Sequence, residues 1–352
     1  MKKVLALVLA LALGCAVSAV AAAEKSPYIA VISKGDQLAF WQIVKNGCQA
    51  AARDLNVNMY YYGPPSEADV TLQVEALRAE LHKNPDAICL AALSTGSVMA
   101  ELRECIQRGI PVIGFDSGVP NAPDGAILAT VSTDNYSAAA EAADHLAQLE
   151  GFTDQLAVGT PQSPMVIGVL SQDDISESVI SRTNGFVDRI VEIASQYNTV
   201  AVRGHEKWNA PNADAGVIVQ VQVSATAATV DVTNAATALL NTRGLAAVFL
   251  SNEGTVTGLL AATSSGADLA KGAVYGDLKV VGFDSGAPQI NAIRRGWFEG
   301  SMTQDPYTIG YVAVELALKA ARGEEVSDVE AKVLWYNAGN VDSDEIRPLI
   351  YN

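Results

Sequence analysis

The sequence predicts an α/β protein of two lobes, each a doubly wound parallel sheet. Two observations predict it. First, Val112-Ile113-Gly114-Phe115-Asp116-Ser117-Gly118-Val119-Pro120 returns as Val280-Val281-Gly282-Phe283-Asp284-Ser285-Gly286-Ala287-Pro288. Seven of the nine positions are identical, at a constant offset of 168 residues. Each copy reads as a short buried strand that stops abruptly at Asp-Ser-Gly. Open α/β sheets bind ligands at the carboxyl ends of their strands. Two such ends imply two similar lobes, each presenting an aspartate, with a ligand between them. Second, strand-like and helix-like runs alternate along the chain, the pattern of parallel sheets covered on both faces.

Taken in order, Tyr28–Ser33 is expected to be a strand. Phe40, Ile43, Val44, Cys48, Ala51 and Leu55 follow at helical spacing. A strand at 57–62, a helix at 68–82 and a strand at 87–93 come next. The helix at 97–108 ends at Gly109 and leads to the strand 112–115. After an extended piece at 127–131 the pattern restarts with a helix at 138–149, a strand at 166–170, a helix at 179–197 and a strand at 200–203. The stretch 209–232 is ambiguous: Val217–Val223 alternates with period two and could be a strand, or the region could be an insertion loop or irregular helix. Beyond it lie a helix at 233–241, a strand at 247–250, a helix at 254–264 and the second repeat strand at 280–283. Residues 289–295 look helical, 300–303 extended, and 306–321 helical, with Pro306 in the first turn and Gly323 closing it.

Met1-Lys2-Lys3, an apolar run to Leu13 and small residues up to Ala23 have the layout of a secretory signal peptide occupying 1–23. Leu13-Gly14-Cys15 offers the alternative of lipid attachment at Cys15. The location expected is therefore the periplasm, or the outer face of a membrane if Cys15 is lipidated. Removing Lys2 and Lys3 leaves 21 basic against 39 acidic residues, a net charge of −18. Such a surface repels phosphate backbones, so nucleic acid is not expected as a partner. Cys48, Cys89 and Cys105 remain after cleavage. An odd number cannot complete a disulfide framework, and their spacing suits no zinc site. Buried free thiols are expected, with a Cys48–Cys105 bridge as the alternative.

Several segments, in this order, resemble the periplasmic sugar-binding proteins of the ribose-binding type. They are Phe40-Trp41 with Lys45-Asn46-Gly47, Gly109-Ile110-Pro111 leading to Asp116, Thr133-Asp134-Asn135, Arg182 with Gly185-Phe186, Ser251-Asn252-Glu253, Val281–Asp284, and Gln304 before Pro306 and Gly310. The resemblance runs over nearly the whole mature chain. It implies the type I periplasmic binding protein fold, with lobes joined by three crossings near Ser132, Gln304 and Asp328. The first lobe is then 24–132 plus 305–328, and the second 133–304 plus 329–352. It also implies the ligand contacts: Phe40 and Trp41 on the sugar ring, Asp116 and Asp284 as carboxylates, Trp208 as a second-lobe aromatic, and Asn252 and Gln304 as amides.

Elementary chemistry agrees, because sugar hydroxyls need planar donors and acceptors and the C–H faces of the ring need flat apolar partners. Other roles exist for the same residues. Phe40 or Trp41 could be core, Asp116 and Asp284 could be turn residues, Asn252 could cap a helix, and Arg182 reads as a structural ion-pair residue. Two arginines of the ribose binder are missing, at Ser117 and Ile180. Asp173, Asp174, Ser176 and Glu177 lie near enough to compensate, so another pentose, a hexose or a polyol fits as well as ribose.

The resemblance implies a monomeric receptor that binds a monosaccharide or related polyol and serves the membrane permease of an ABC importer. A chemoreceptor partner is compatible with it. A glycosidase using Asp116 and Asp284 is the enzymatic alternative, but His82, His145 and His205 show no triad context and no cofactor or metal motif is present. A sugar-responsive DNA-binding regulator would begin with a basic helix-turn-helix, unlike this acidic chain with its export signal.

Overall fold

A computed structural model describes residues 26–351; the expected signal peptide and Cys15 lie outside them. The first part of the chain runs β1 (Tyr28–Ile32), α1 (Ala39–Asp54), β2 (Asn58–Tyr62), α2 (Val70–His82), β3 (Ala87–Leu90), α3 (Met99–Arg108), β4 (Val112–Phe115) and β5 (Ala129–Ser132). Next come α4 (Asn135–Ala147), α5 (Phe152–Val158), β6 (Met165–Ser171), α6 (Glu177–Ala194), β7 (Val200–Arg203) and β8 (Val217–Val223). These are followed by α7 (Thr229–Leu240), β9 (Leu245–Leu250), α8 (Glu253–Ala262), β10 (Lys279–Phe283), α9 (Ala287–Arg294) and β11 (Gly300–Gln304). The chain ends with α10 (Pro306–Ala321), β12 (Val329–Glu330) and β13 (Val333–Tyr336).

Two sheets result. The first has the order β12-β5-β4-β3-β1-β2 and is parallel throughout. The second has the order β13-β11-β10-β9-β6-β8-β7, and only β13 runs antiparallel. From β2 to β5 the first sheet follows the doubly wound order 2-1-3-4-5. The second repeats it as β8-β6-β9-β10-β11, so β4 and β10, the two copies of the repeat, occupy equivalent places. Both faces of each sheet are buried. Along β1, Ile29 and Val31 face one apolar cluster while Ala30 and Ile32 face another. The same alternation puts Ile167 and Val169 on one side of β6 and Leu170 on the other.

The ambiguous stretch resolves into a strand. Val217–Val223 is β8 and sits beside β6, the inner position, while β7 is added outside it as an edge. Helix α7 begins at Thr229, four residues before the helix expected there. Cys48, Cys89 and Cys105 are all free and buried.

The chain passes between the sheets after β5, after β11 and after β12. Val329–Glu330 pairs with β5 and so belongs to the first sheet, past the boundary expected at 328. The tail is likewise shared: Tyr351 packs edge-on against Phe40 at 6.0 Å and accepts a hydrogen bond from Ser285 N at 3.0 Å. Helix α10 returns from the second sheet to pack against α1. Their backbones nearly touch: a Cβ on Gly47 would lie 2.1 Å from Tyr307 O, and one on Gly310 2.1 Å from Val44 O.

Candidate sugar-binding cleft

The repeat explains itself at the backbone. Asp116 and Asp284 both take positive φ, 58° and 77°. Few residues other than glycine adopt this region, and aspartate is among those that tolerate it. Each aspartate first donates its N–H to the next strand, Asp116 to Val131 O and Asp284 to Met302 O. The left-handed turn then ends the strand and throws the carboxylate beyond the sheet. Two equivalent strand ends thus share one uncommon backbone conformation.

Both carboxylates line one narrow cavity between the lobes. Phe40, Trp41, Asp116, Asn252, Asp284 and Gln304 all line it. The aromatic pair heads α1 and meets edge to face at 4.9 Å. Both rings are buried and line the cavity while sharing the first lobe's core. The Trp41 indole N–H donates to Glu67 Oε1 at 2.6 Å, which fixes the plane of the ring.

The two aspartates are held differently. Asp284 is gripped by the second lobe: Gln304 Nε2 donates to Oδ1 at 2.6 Å and Glu253 N to Oδ2 at 2.8 Å. Arg182 Nη1 stands 3.7 Å from Oδ2. Gln304 in turn accepts from Thr133 Oγ1 at 2.7 Å, so this amide ties β11 to the segment after β5. Asp116 faces Lys34 Nζ at 3.1 Å, yet that oxygen, Oδ2, is buried without a hydrogen bond. Asn252 does cap a helix, accepting from Thr255 N at 3.1 Å in a reciprocal capping box. Its Nδ2 donates to no group among the described residues, so capping leaves the amide N–H₂ for the cavity.

Trp208 is not part of this group. It sits in a short 3-10 turn, Glu206–Trp208, donates its indole N–H to Asn184 Oδ1 at 2.6 Å, and lines no part of the cavity. The edge strand β7 is the reason. Trp208 follows β7, whereas the strand whose carboxyl end opens on the cleft is β8, and the loop after β8 carries small residues, Ser224-Ala225-Thr226-Ala227-Ala228.

Sequence reasoning missed Lys34 and Glu67 and undervalued Arg182. Lys34 is buried at the end of β1, the place equivalent to Gln172 after β6. Its signal was legible: a lysine directly after the buried run Ile29–Ser33 obeys the same strand-end logic as Asp116. Burial alone would lower its pKa, but Asp116, Glu67 and Asp173 outweigh that and hold it above the usual lysine value. Arg182 both lines the cavity and serves structure. It donates to Asn135 Oδ1 at 2.8 Å and Ser251 O at 3.1 Å, and its guanidinium lies 3.8 Å over the Phe283 ring.

Around the cavity the lobes touch. Lys34 Nζ donates to Ser176 Oγ at 3.2 Å and Ser178 Oγ at 3.0 Å. Ser178 N donates to Ser117 Oγ at 3.3 Å, and Thr95 N to Ile175 O at 3.1 Å. Glu253 accepts from Ala39 N at 3.4 Å and Phe40 N at 3.3 Å, at the positive end of α1. Burial, then the nearby Asp284 charge, pushes Glu253 up to about 7, and burial pushes Asp173 up to about 6. Ser176 and Glu177 thus serve the lobe contact, Asp173 accepts from Ser176 N within its own lobe, and Asp174 sits 3.6 Å from Lys207. At the second missing arginine, Val179 reaches the cavity and Ile180 does not.

The family description for a periplasmic binding protein domain matches residues 29–325. The chain belongs to the periplasmic binding protein family. Among its relatives is the D-allose-binding periplasmic protein of Escherichia coli (strain K12), 24% identical over 313 residues and 88% of each chain. A Brachyspira murdochii protein described as an ABC transporter, LacI family transcriptional regulator, is 40% identical, with TM-score 0.77 over 93% of this chain and 99% of that one. A carbohydrate transporter solute binding protein from Agrobacterium radiobacter, in complex with D-arabinose, superposes with TM-score 0.74 at 24% identity over 93% and 99%. This periplasmic binding protein therefore has the type I fold expected from its sequence, two doubly wound lobes with three crossings.

Proposed function

We propose that the protein is a sugar receptor that closes its two lobes on a monosaccharide or related polyol and presents it to the permease of an ABC importer. The single observation that carries this is the paired, left-handed Asp116 and Asp284 facing one cavity beside an aromatic pair. Carboxylates accept from sugar hydroxyls with bonds worth about 1.5–3 kcal/mol each, and flat rings cover the C–H faces. The names of the relatives, a D-allose-binding protein and a D-arabinose complex, support a sugar as ligand.

Hinge closure supplies a two-state signal that a permease reads. Its site of action is the periplasm, with residues 1–23 as the export signal, or the outer membrane face if Cys15 carries lipid. No bond need be made or broken. The net charge of −18 for the mature chain supports a role apart from nucleic acid.

The test is a thermal-shift screen of the mature chain, Glu24–Asn352, against pentoses, hexoses and polyols. A ligand bound only by the folded state raises the Tm by mass action. One sugar should raise it, and Asp116→Ala should abolish the rise while leaving the far-UV circular dichroism unchanged. No shift with any sugar would reject the proposal.

A further inference from the structure

A second cavity lies between the lobes, directly beside the first. It is a small cavity that opens to solvent on one side. Gly35, Pro65 and Ser66 wall it from the first lobe; Ala227, Thr229 and Thr257 wall it from the second. Leu38 and Glu67 are walls of both cavities. Glu67 accepts from the Trp41 indole N–H on the sugar side and from Gln172 Nε2 of the second lobe.

We infer that the second cavity receives the substituent of a neutral glycoside whose sugar ring fills the first. The inference rests on the sugar-receptor reading above and extends it. Three observations carry it. The second cavity is formed by both lobes, so closure encloses whatever occupies it, as it does in the first. Its walls alternate apolar surface (Leu38, Pro65, Val232) with hydroxyls and amides (Ser66, Thr257, Gln172), the mixture that a sugar ring or a small O-linked group requires. Glu67 is the only charged side chain among those walls, and both its oxygens already accept protein hydrogen bonds. No cation lines this cavity to hold a phosphate or carboxylate, which excludes an anionic substituent.

The sequence supplies the reason for the space. The loop after β8, whose carboxyl end faces the cleft, carries no aromatic, only Ser224-Ala225-Thr226-Ala227-Ala228 before α7. Small side chains leave open what a ring would fill.

The experiment is calorimetric titration of the mature protein with the free sugar that gives the largest thermal shift, and with its α and β methyl glycosides, phenyl glycosides and disaccharides. At least one glycoside should bind tenfold or more tightly than the free sugar. Ala227→Phe, which fills the second cavity, should weaken that glycoside at least tenfold and leave the free sugar within twofold. Thr229→Phe, at an exposed position where misfolding is not a concern, should act in the same direction. The inference is overturned if every glycoside binds more weakly than the free sugar, or if both variants weaken sugar and glycoside alike. Failure of the free sugars themselves would instead reject the underlying reading.

Discussion

Glu253→Gln should flatten the pH dependence of sugar affinity. In the closed structure the carboxyl bridges from α8 to the first N–H groups of α1, and burial with Asp284 nearby raises it from an ordinary 4.5 to about 7. Below pH 4.5 the group is protonated whether the lobes are open or closed, and closure costs no ionisation. Above pH 7 it is charged in both, and closure must desolvate the carboxylate. Between these limits closure takes up a proton, so affinity is highest at the acid end and falls as pH rises through 7. A displacement of 2.5 pH units corresponds to roughly 3 kcal/mol at about 1.4 kcal/mol per unit. Part of it persists when the lobes separate, because Asp284 lies in the same lobe as Glu253. About a tenfold loss of affinity between pH 5 and pH 8 is therefore expected. Glutamine keeps the acceptor oxygen and removes the proton. Calorimetry in buffers of different ionisation enthalpy reads the uptake directly, and the variant should take up fewer protons than the parent. Glu177, at the lobe contact, and Asp173, nearby, are also raised by burial, so a smaller uptake remains. Affinity that rises with pH, or a glutamine variant with unchanged uptake, would refute this reasoning.

Asp284→Ala should cost about 3–5 kcal/mol of stability even without ligand, because it strands the buried Arg182, Gln304 Nε2 and Glu253 N; chemical denaturation measures it. Gly310→Ala should lower stability by at least about 1–3 kcal/mol through the clash with Val44 O, read as a lower Tm and a lower denaturant midpoint. Lys34→Met should weaken sugar binding, since it unties Asp116 and removes the contacts to Ser176 and Ser178; titration calorimetry should show at least a tenfold loss. Cys48, Cys89 and Cys105, buried with pKa values raised by burial, should resist a thiol reagent until the protein is unfolded.

The strands that build the site were legible because they are buried on both faces and stop at polar residues; β4 and β10 announced themselves as a repeat for that reason. The edge strand β7 shares the apolar composition of its neighbours, and no local signal says that it stands outside the doubly wound order. That ambiguity displaced Trp208. Helix α7 began early because Ala228 and Thr229 carry no strong start signal. Asn252 shows why one role does not exclude another: its oxygen caps α8 while its nitrogen remains available. Lys34 carried a strand-end signal, but Glu67 escaped notice because a single charged residue in a loop acquires meaning only when folding brings it to Trp41.

The measurement that tests the central claim most directly is a crystal structure of the mature protein grown with the sugar that gives the largest thermal shift. The account predicts one sugar ring between the lobes, against Phe40 and Trp41, with its hydroxyls bonded to Asp116 and Asp284. Sugar density anywhere else, or a cleft closed without it at saturating concentration, would contradict the account.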